Sequence, residues 1–427
     1  MKNLLKTLAV STALVLVSTT NAFAQSLVVK SKNIVTNTSA GQVKGGVLVI
    51  ENGRITSINQ DRTVSGDKVI EGKTLWVTPG IFAPYTTLGL VEVNGEHGSN
   101  NINAANKEAT VRIRAADSFN PKATSVAETR IGGVIFAAVV PDSRSDIFGG
   151  QGMIVTTSGS FDSALNKNAF VYIDYSGGSN KTGGSKGAAM AFLRDALSDA
   201  TLAPTRFKSP RDGDALARAD AKALRSVLNG SRPLLIAADQ AVDMLNIIDL
   251  KKAYPRLNIL IVGAAEGWMV AGQLAKADIG VMVDPLENLP NNFDRMAARL
   301  DNVKLLMDAG VKTAIISRSA TGGTSHNLRL TPQHAGNAVA AGLSWEQAFK
   351  AITLTPATMY GYPGLGQLQA GQAANLVIWN GDPLEVTSEV VAVIIGGKSQ
   401  SMESRQTKLR DRYNPAKQGD KMYGYRP

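Results

Sequence analysis

From residue 234 onward, short and wholly apolar segments alternate with amphipathic ones. The run 234–238 precedes a helical pattern over 241–253, and 259–262 precedes one over 268–275. In the same way 280–283 leads into 293–309, and 312–316 into 331–341. A strand that is apolar on both faces must be covered on both, which a parallel sheet wrapped by helices provides. Earlier runs at 80–82, 134–140 and 170–174 extend the series. Seven or eight such units within 80–361 fit a (β/α)8 barrel of the TIM type better than an open sheet.

The two ends have a different rhythm. Apolar, β-branched runs occur at 26–29, 47–50, 55–58 and 75–77, and Asn52-Gly53 between two of them favours a tight hairpin. Strand-like runs return at 374–379 and 390–395, separated by a turn at 380–383. Residues 25–79 and 362–404 are therefore expected to build one small composite β-sandwich beside the barrel. Residues 89–125 and 142–190 are rich in Gly, Asn and Ser and read as irregular insertions. Both follow barrel strands, so they should cover the face where barrels keep their sites. Residues 405–427 read as a polar, loosely held tail.

Residues 1–24 have the pattern of a secretory signal. Lys2 and Lys6 precede an apolar stretch over 8–17, and Ala22-Phe23-Ala24 is a small-x-small cleavage site before Gln25. The expected location is periplasmic or secreted. No later run approaches the roughly 18 apolar residues of a transmembrane segment. With no cysteine in the chain, thiol nucleophiles, cysteine-bound zinc and iron–sulfur clusters drop out. The net charge of +10, or +8 without Lys2 and Lys6, is spread along a chain with few aromatics, which is a solvated basic surface and not a nucleic-acid footprint.

The chain has three histidines, His97, His326 and His334, and no two stand at metal-ligand spacing. His97 falls in a Gly/Asn-rich loop and His334 on a helix, where a surface position is expected. His326 follows the last barrel strand and is a candidate general base or substrate contact, because imidazole titrates near neutrality. Asp239 and Glu266 follow the fifth and sixth strands and could act as a carboxylate pair, or could pair with Arg318. Glu92 and Glu96 are weaker candidates of the same kind. The glycine-rich run 177–184 lacks the Gly-Lys-Ser/Thr ending of a phosphate loop, and Ser158 and Ser317 lack a nucleophile-elbow context.

Four segments carry a resemblance: 47–58; 73–80 with its Thr78-Pro79-Gly80; 340–361 with Thr355-Pro356-Ala357; and 366–384 with Asp382-Pro383-Leu384. In this order they resemble the amidohydrolase superfamily, especially its imidazolonepropionase-like branch. That resemblance implies a metal-dependent hydrolase acting on carbon–nitrogen bonds other than peptide bonds, with zinc or another divalent ion held by histidines at strand ends. The family's His-x-His pair would fall at Tyr85 and Thr87, and a preceding Asp at Ala83. Further histidines would end strands five and six, where this chain reads 236–239 and 262–266. A catalytic Asp would end strand eight, at or beside Arg318. Asn375 stands where a structural Asp is usual.

Tyr, Thr and Ala do not replace imidazole, and an arginine beside the site repels a divalent cation. No metal or other cofactor is therefore expected. The first reading is a metal-free, divergent member or pseudoenzyme that binds a small ligand or a partner at the barrel mouth. The second is an active hydrolase of carbon–nitrogen bonds, such as those of cyclic amides. In it, Asp239, Glu266 and His326 would carry acid–base work, and Tyr85, Thr87 and Arg318 would contact substrate. A third is an envelope scaffold or subunit, as a homo-oligomer or paired with an intact relative.

Overall fold

The computed structural model describes residues 26–93, 95–104, 109–144, 146–176, 182–206, 214–318 and 325–414. The expected signal segment lies outside them. Seven strands come first: β1 (Ser26–Lys30), β2 (Asn33–Val35), β3 (Gln42–Lys44), β4 (Val47–Glu51), β5 (Arg54–Asn59), β6 (Lys68–Glu71) and β7 (Trp76–Pro79). The hairpin between β4 and β5 turns on Asn52 and Gly53, both at positive φ (51° and 77°). Both central residues of a type I′ turn need such angles, which is why Asn-Gly was informative.

Eight strands follow: β8 (Ile81–Thr86), β9 (Val134–Val139), β10 (Phe148–Thr156), β11 (Ala164–Asp174), β12 (Leu234–Ala238), β13 (Ile259–Gly263), β14 (Gly280–Val283) and β15 (Thr313–Ile315). They form one sheet in sequence order, a nearly closed barrel of the TIM type. β8 pairs parallel with β9, and β11 through β15 are parallel throughout.

β10 departs from the pattern, pairing antiparallel with both neighbours. Residues 142–190 are thus not simply an irregular insertion. They supply β10, the whole of β11 and the start of the helix Lys186–Arg206. The glycines that suggested a loop let β10 pack closely. A Cβ on Gly152 would sit 2.0 Å from the Phe170 ring.

The helix Ala241–Ala253 lies where the periodicity put it. Two others are broken. Residues 268–275 are split between a 3-10 turn, Gly267–Val270, and the helix Ala271–Lys276. Residues 293–309 form a 3-10 turn, Phe293–Arg295, and a separate helix, Asn302–Asp308. That break places Arg295 over the barrel mouth.

The remaining strands are β16 (Leu376–Trp379), β17 (Val390–Ile395) and β18 (Lys398–Ser399). They extend a six-stranded sheet, β18-β17-β16-β7-β2-β3, that joins both ends of the chain. A four-stranded sheet, β5-β4-β1-β6, packs against it. Trp345 ties this part to the barrel. Its ring stacks on Phe349 and contacts Trp76, while its Nε1 donates to the Asp382 carboxylate at 2.9 Å. Residues Arg405–Tyr413 of the expected tail form a helix capped by Ser404. No helix among the described residues is long and apolar enough to cross a membrane.

Candidate ligand site at the barrel mouth

The C-terminal ends of the barrel strands carry a chain of ions, Asp239 and Arg295 buried and Glu287 and Arg318 partly so. Asp239, one residue past β12, accepts from Arg295 Nε at 3.0 Å and lies 3.6 Å from Arg318 Nη1. Arg295 Nη1 reaches Glu287 Oε1 at 2.9 Å. Burial alone would lower the Arg318 pKa, but the Asp239 and Glu287 carboxylates outweigh it and hold the guanidinium charged. Burial pushes the Glu287 carboxyl up, against the pull of Arg318 and Arg295. Arg318 Nη1 and Glu287 Oε2 are covered, yet neither makes a hydrogen bond among the described residues.

On the β8 side, the Tyr85 hydroxyl lies 3.3 Å from that of Tyr172. Burial pushes both phenols up, so both remain protonated at neutral pH. Thr87 is half-buried just beyond β8.

The third part is a tie between strands seven and eight and the helix Thr331–Ala340. Asp284, just past β14, accepts from His334 Nδ1 at 2.8 Å on Oδ1 and from the Arg318 backbone N–H at 2.7 Å on Oδ2. His334 Nε2 is 3.2 Å from Ser317 Oγ. Burial works to raise the Asp284 pKa, but His334 and the backbone donors of Leu286 and Arg318 hold it below the usual carboxylate range. His334 is 2% exposed, so the expectation of a helix-surface histidine is corrected: its ring faces the barrel from the fourth residue of the helix.

The other candidates lie elsewhere. Glu266 accepts from the backbone N–H groups of Ala241 and Ala297, at 3.0 and 3.2 Å, and pins two loops. Instead of forming a carboxylate pair, Asp239 and Glu266 are each tied to different donors. His326 lines a separate cavity of about 270 Å3 with Glu92, Thr124 and Glu128, which Asp239 and Glu266 do not line. Glu92 there accepts from Thr124, while His97 and Glu96 are exposed. Ser158 accepts from the Thr156 hydroxyl, and Asn375 Oδ1 accepts from the Gly396 N–H as a turn contact. Residues 177–181 of the glycine-rich run lie outside the described residues.

The donor set does not suit a divalent ion. Where the resemblance would put a histidine at the end of strand six, β13 closes on Gly263. Its φ is +104°, and a Cβ there would fall 2.3 Å from Asp239 Oδ1 and 2.8 Å from Arg318 Nη1. A side chain there would be strained by the backbone and would have to displace the Asp239 and Arg318 head groups, and the adjoining space holds a guanidinium cation. Among the described residues, no group of three or more His, Cys, Asp or Glu side chains could hold a metal ion.

Comparison with known proteins agrees with this architecture. Residues 210–399 match the sequence profile of the Amidohydrolase family (Amidohydro_3). An amidohydrolase from Thermotoga maritima MSB8 superposes on 87% of this chain and 99% of its own, with a TM-score of 0.75 and 22% identity. The chain has the amidohydrolase fold. A triazine hydrolase variant (TM-score 0.55, 13% identity, 91% of this chain and 98% of its own) has the same architecture. So does a prolidase solved with N-methylphosphonate-L-proline (0.56, 12%, 89% and 100%). At these identities the likeness to the solved structures is one of fold. No curated protein matches the sequence.

Sequence reasoning alone missed Asp284, Glu287 and Arg295. Asp284 was the most legible, being the residue after a barrel strand, at the end where such folds place their chemistry. Arg295 was hidden by its apparent membership of a continuous helix.

Proposed function

We propose that this protein is an exported, metal-independent member of the amidohydrolase fold that binds a small polar ligand at its barrel mouth. One observation carries the reading: Arg318 and Asp239 fill the space beside Gly263, where the fold's relatives would be expected to seat a metal ligand. Arg318 Nη1, ion-paired with Asp239 but not hydrogen-bonded, and Glu287 Oε2 offer a ligand one donor and one acceptor in a covered setting, where hydrogen bonds discriminate strongly. Export rests on the signal-like segment 1–24. Acid–base work shared by Asp239, Glu266 and His326 has no support in the geometry, since Asp239 and Glu266 are held by different donors and His326 lines a separate cavity.

Elemental analysis of the purified full-length protein tests the metal reading. Zinc, iron and manganese should be far below one equivalent, and neither a chelator nor added zinc should move the melting temperature. Stoichiometric metal whose removal lowers that temperature overturns it. Ligand binding should raise the melting temperature in proportion to ligand excess, and Arg318→Met should lose that response.

A further inference from the structure

The tie made by Ser317, His334 and Asp284 has a second reading. The carboxylate holds imidazole Nδ1 at 2.8 Å, and Nε2 faces a hydroxyl at 3.2 Å. This is the connectivity of a nucleophile, its base and the group that orients the base, an arrangement recognised by geometry and roles and not by sequence position or fold. Asp284 also accepts backbone N–H groups from Leu286 and Arg318, so it is fixed in place before any substrate arrives. The three residues come from the ends of strands seven and eight and the first turn of the next helix, on the face where barrels of this kind do chemistry. We propose that Ser317 is an acyl-accepting nucleophile, with His334 as its general base and Asp284 as the positioning residue, acting on carboxylic esters with small acyl groups.

The size limit follows from burial: Ser317 is only 3% exposed, and the sequence offers no nucleophile elbow to lift it into solvent. In the acylation step Ser317 Oγ bonds to the ester carbonyl carbon as its proton passes to His334 Nε2. The carbon–oxygen bond to the alcohol then breaks, and the alcohol leaves with that proton. Water, giving a proton to His334, attacks the acyl carbon, the bond to Oγ breaks, and Ser317 recovers its proton as the acid departs.

The proposal goes beyond ligand binding and rests on the metal-independent reading only in needing no metal. The test treats the full-length protein with a small alkyl fluorophosphonate in the presence of a chelator and reads the intact mass. We expect one phosphonyl adduct per chain, mapped to Ser317 and absent in Ser317→Ala, whose melting temperature should be close to that of the parent. His334→Gln should slow labelling at least tenfold. Asp284→Asn should change the pH profile of labelling, which a merely structural tie would leave in place. Turnover of 4-nitrophenyl acetate should fall at least tenfold in Ser317→Ala and exceed that of 4-nitrophenyl octanoate. No adduct at Ser317 in the folded parent, or labelling indifferent to His334, overturns the proposal and leaves the three residues as a structural tie. Metal content is read separately, so either reading can fail alone.

Discussion

At the residue scale the decisive position is Gly263. A glycine at φ +104° is tolerated where any other residue is strained, and here a Cβ would also strike the Asp239–Arg318 pair. Gly263→Ala is therefore expected to cost about 2–4 kcal/mol, from backbone strain plus disruption of a buried ion pair. Urea unfolding measures it, and a loss under about 0.5 kcal/mol would mean the pair yields easily. Asp284 makes a pH-dependent contribution. Its pKa is depressed in the folded protein, so its stabilisation is present above the unfolded carboxyl value and is lost as pH falls through the folded one. Urea midpoints of the parent should fall below about pH 4, where carboxyls titrate. Asp284→Asn should start lower and change less over the same range. Of these residues, Tyr85, Asp239 and Arg318 were legible because each stands at a strand end aligned with a family motif. His334 was not, because a lone histidine on a helix gives no sign of which face will be buried until the helix docks.

At the scale of elements, the parallel strands β11 to β15 followed from apolar runs that need cover on both faces. β10 did not, because Phe148-Gly149-Gly150-Gln151-Gly152 has the composition of a loop. Its glycines serve an antiparallel strand whose neighbour presses an aromatic ring against the backbone. Gly152→Val should thus displace the Phe170 ring and cost about 1–3 kcal/mol or more, as overpacking a close-packed interior does. The thermal midpoint and near-ultraviolet circular dichroism report it. An unchanged midpoint would show that β10 moves freely against β11. The broken helix at 293–309 teaches the same lesson. Helical periodicity over those residues was real, but Arg295 reaches Asp239 and Glu287 only because the chain leaves the helix between them.

At the scale of the whole molecule, strands from the first and last parts of the described residues share one sheet, with β7 between β16 and β2. Ending the chain after residue 375 would strip β7 of its β16 partner, leaving only β2, and uncover the apolar cluster around Val77 and Ile34. The truncated protein should be insoluble or lack a cooperative unfolding transition, since an open, apolar sheet edge invites aggregation. A soluble truncation with the parent's melting temperature would show that the barrel stands without its sandwich. The sequence by itself determined the barrel, the β-rich ends and the absence of histidine from the barrel-strand ends, because periodicity and residue identity are local properties that survive in a string. Only the tertiary structure decided what took their place: the Asp239–Arg295–Glu287 ion chain, the Arg318 guanidinium beside Gly263, and Ser317 joined through His334 to Asp284. Each joins residues from different strand ends or helices, and the burial that makes a charge or a hydroxyl consequential exists only once those elements pack together.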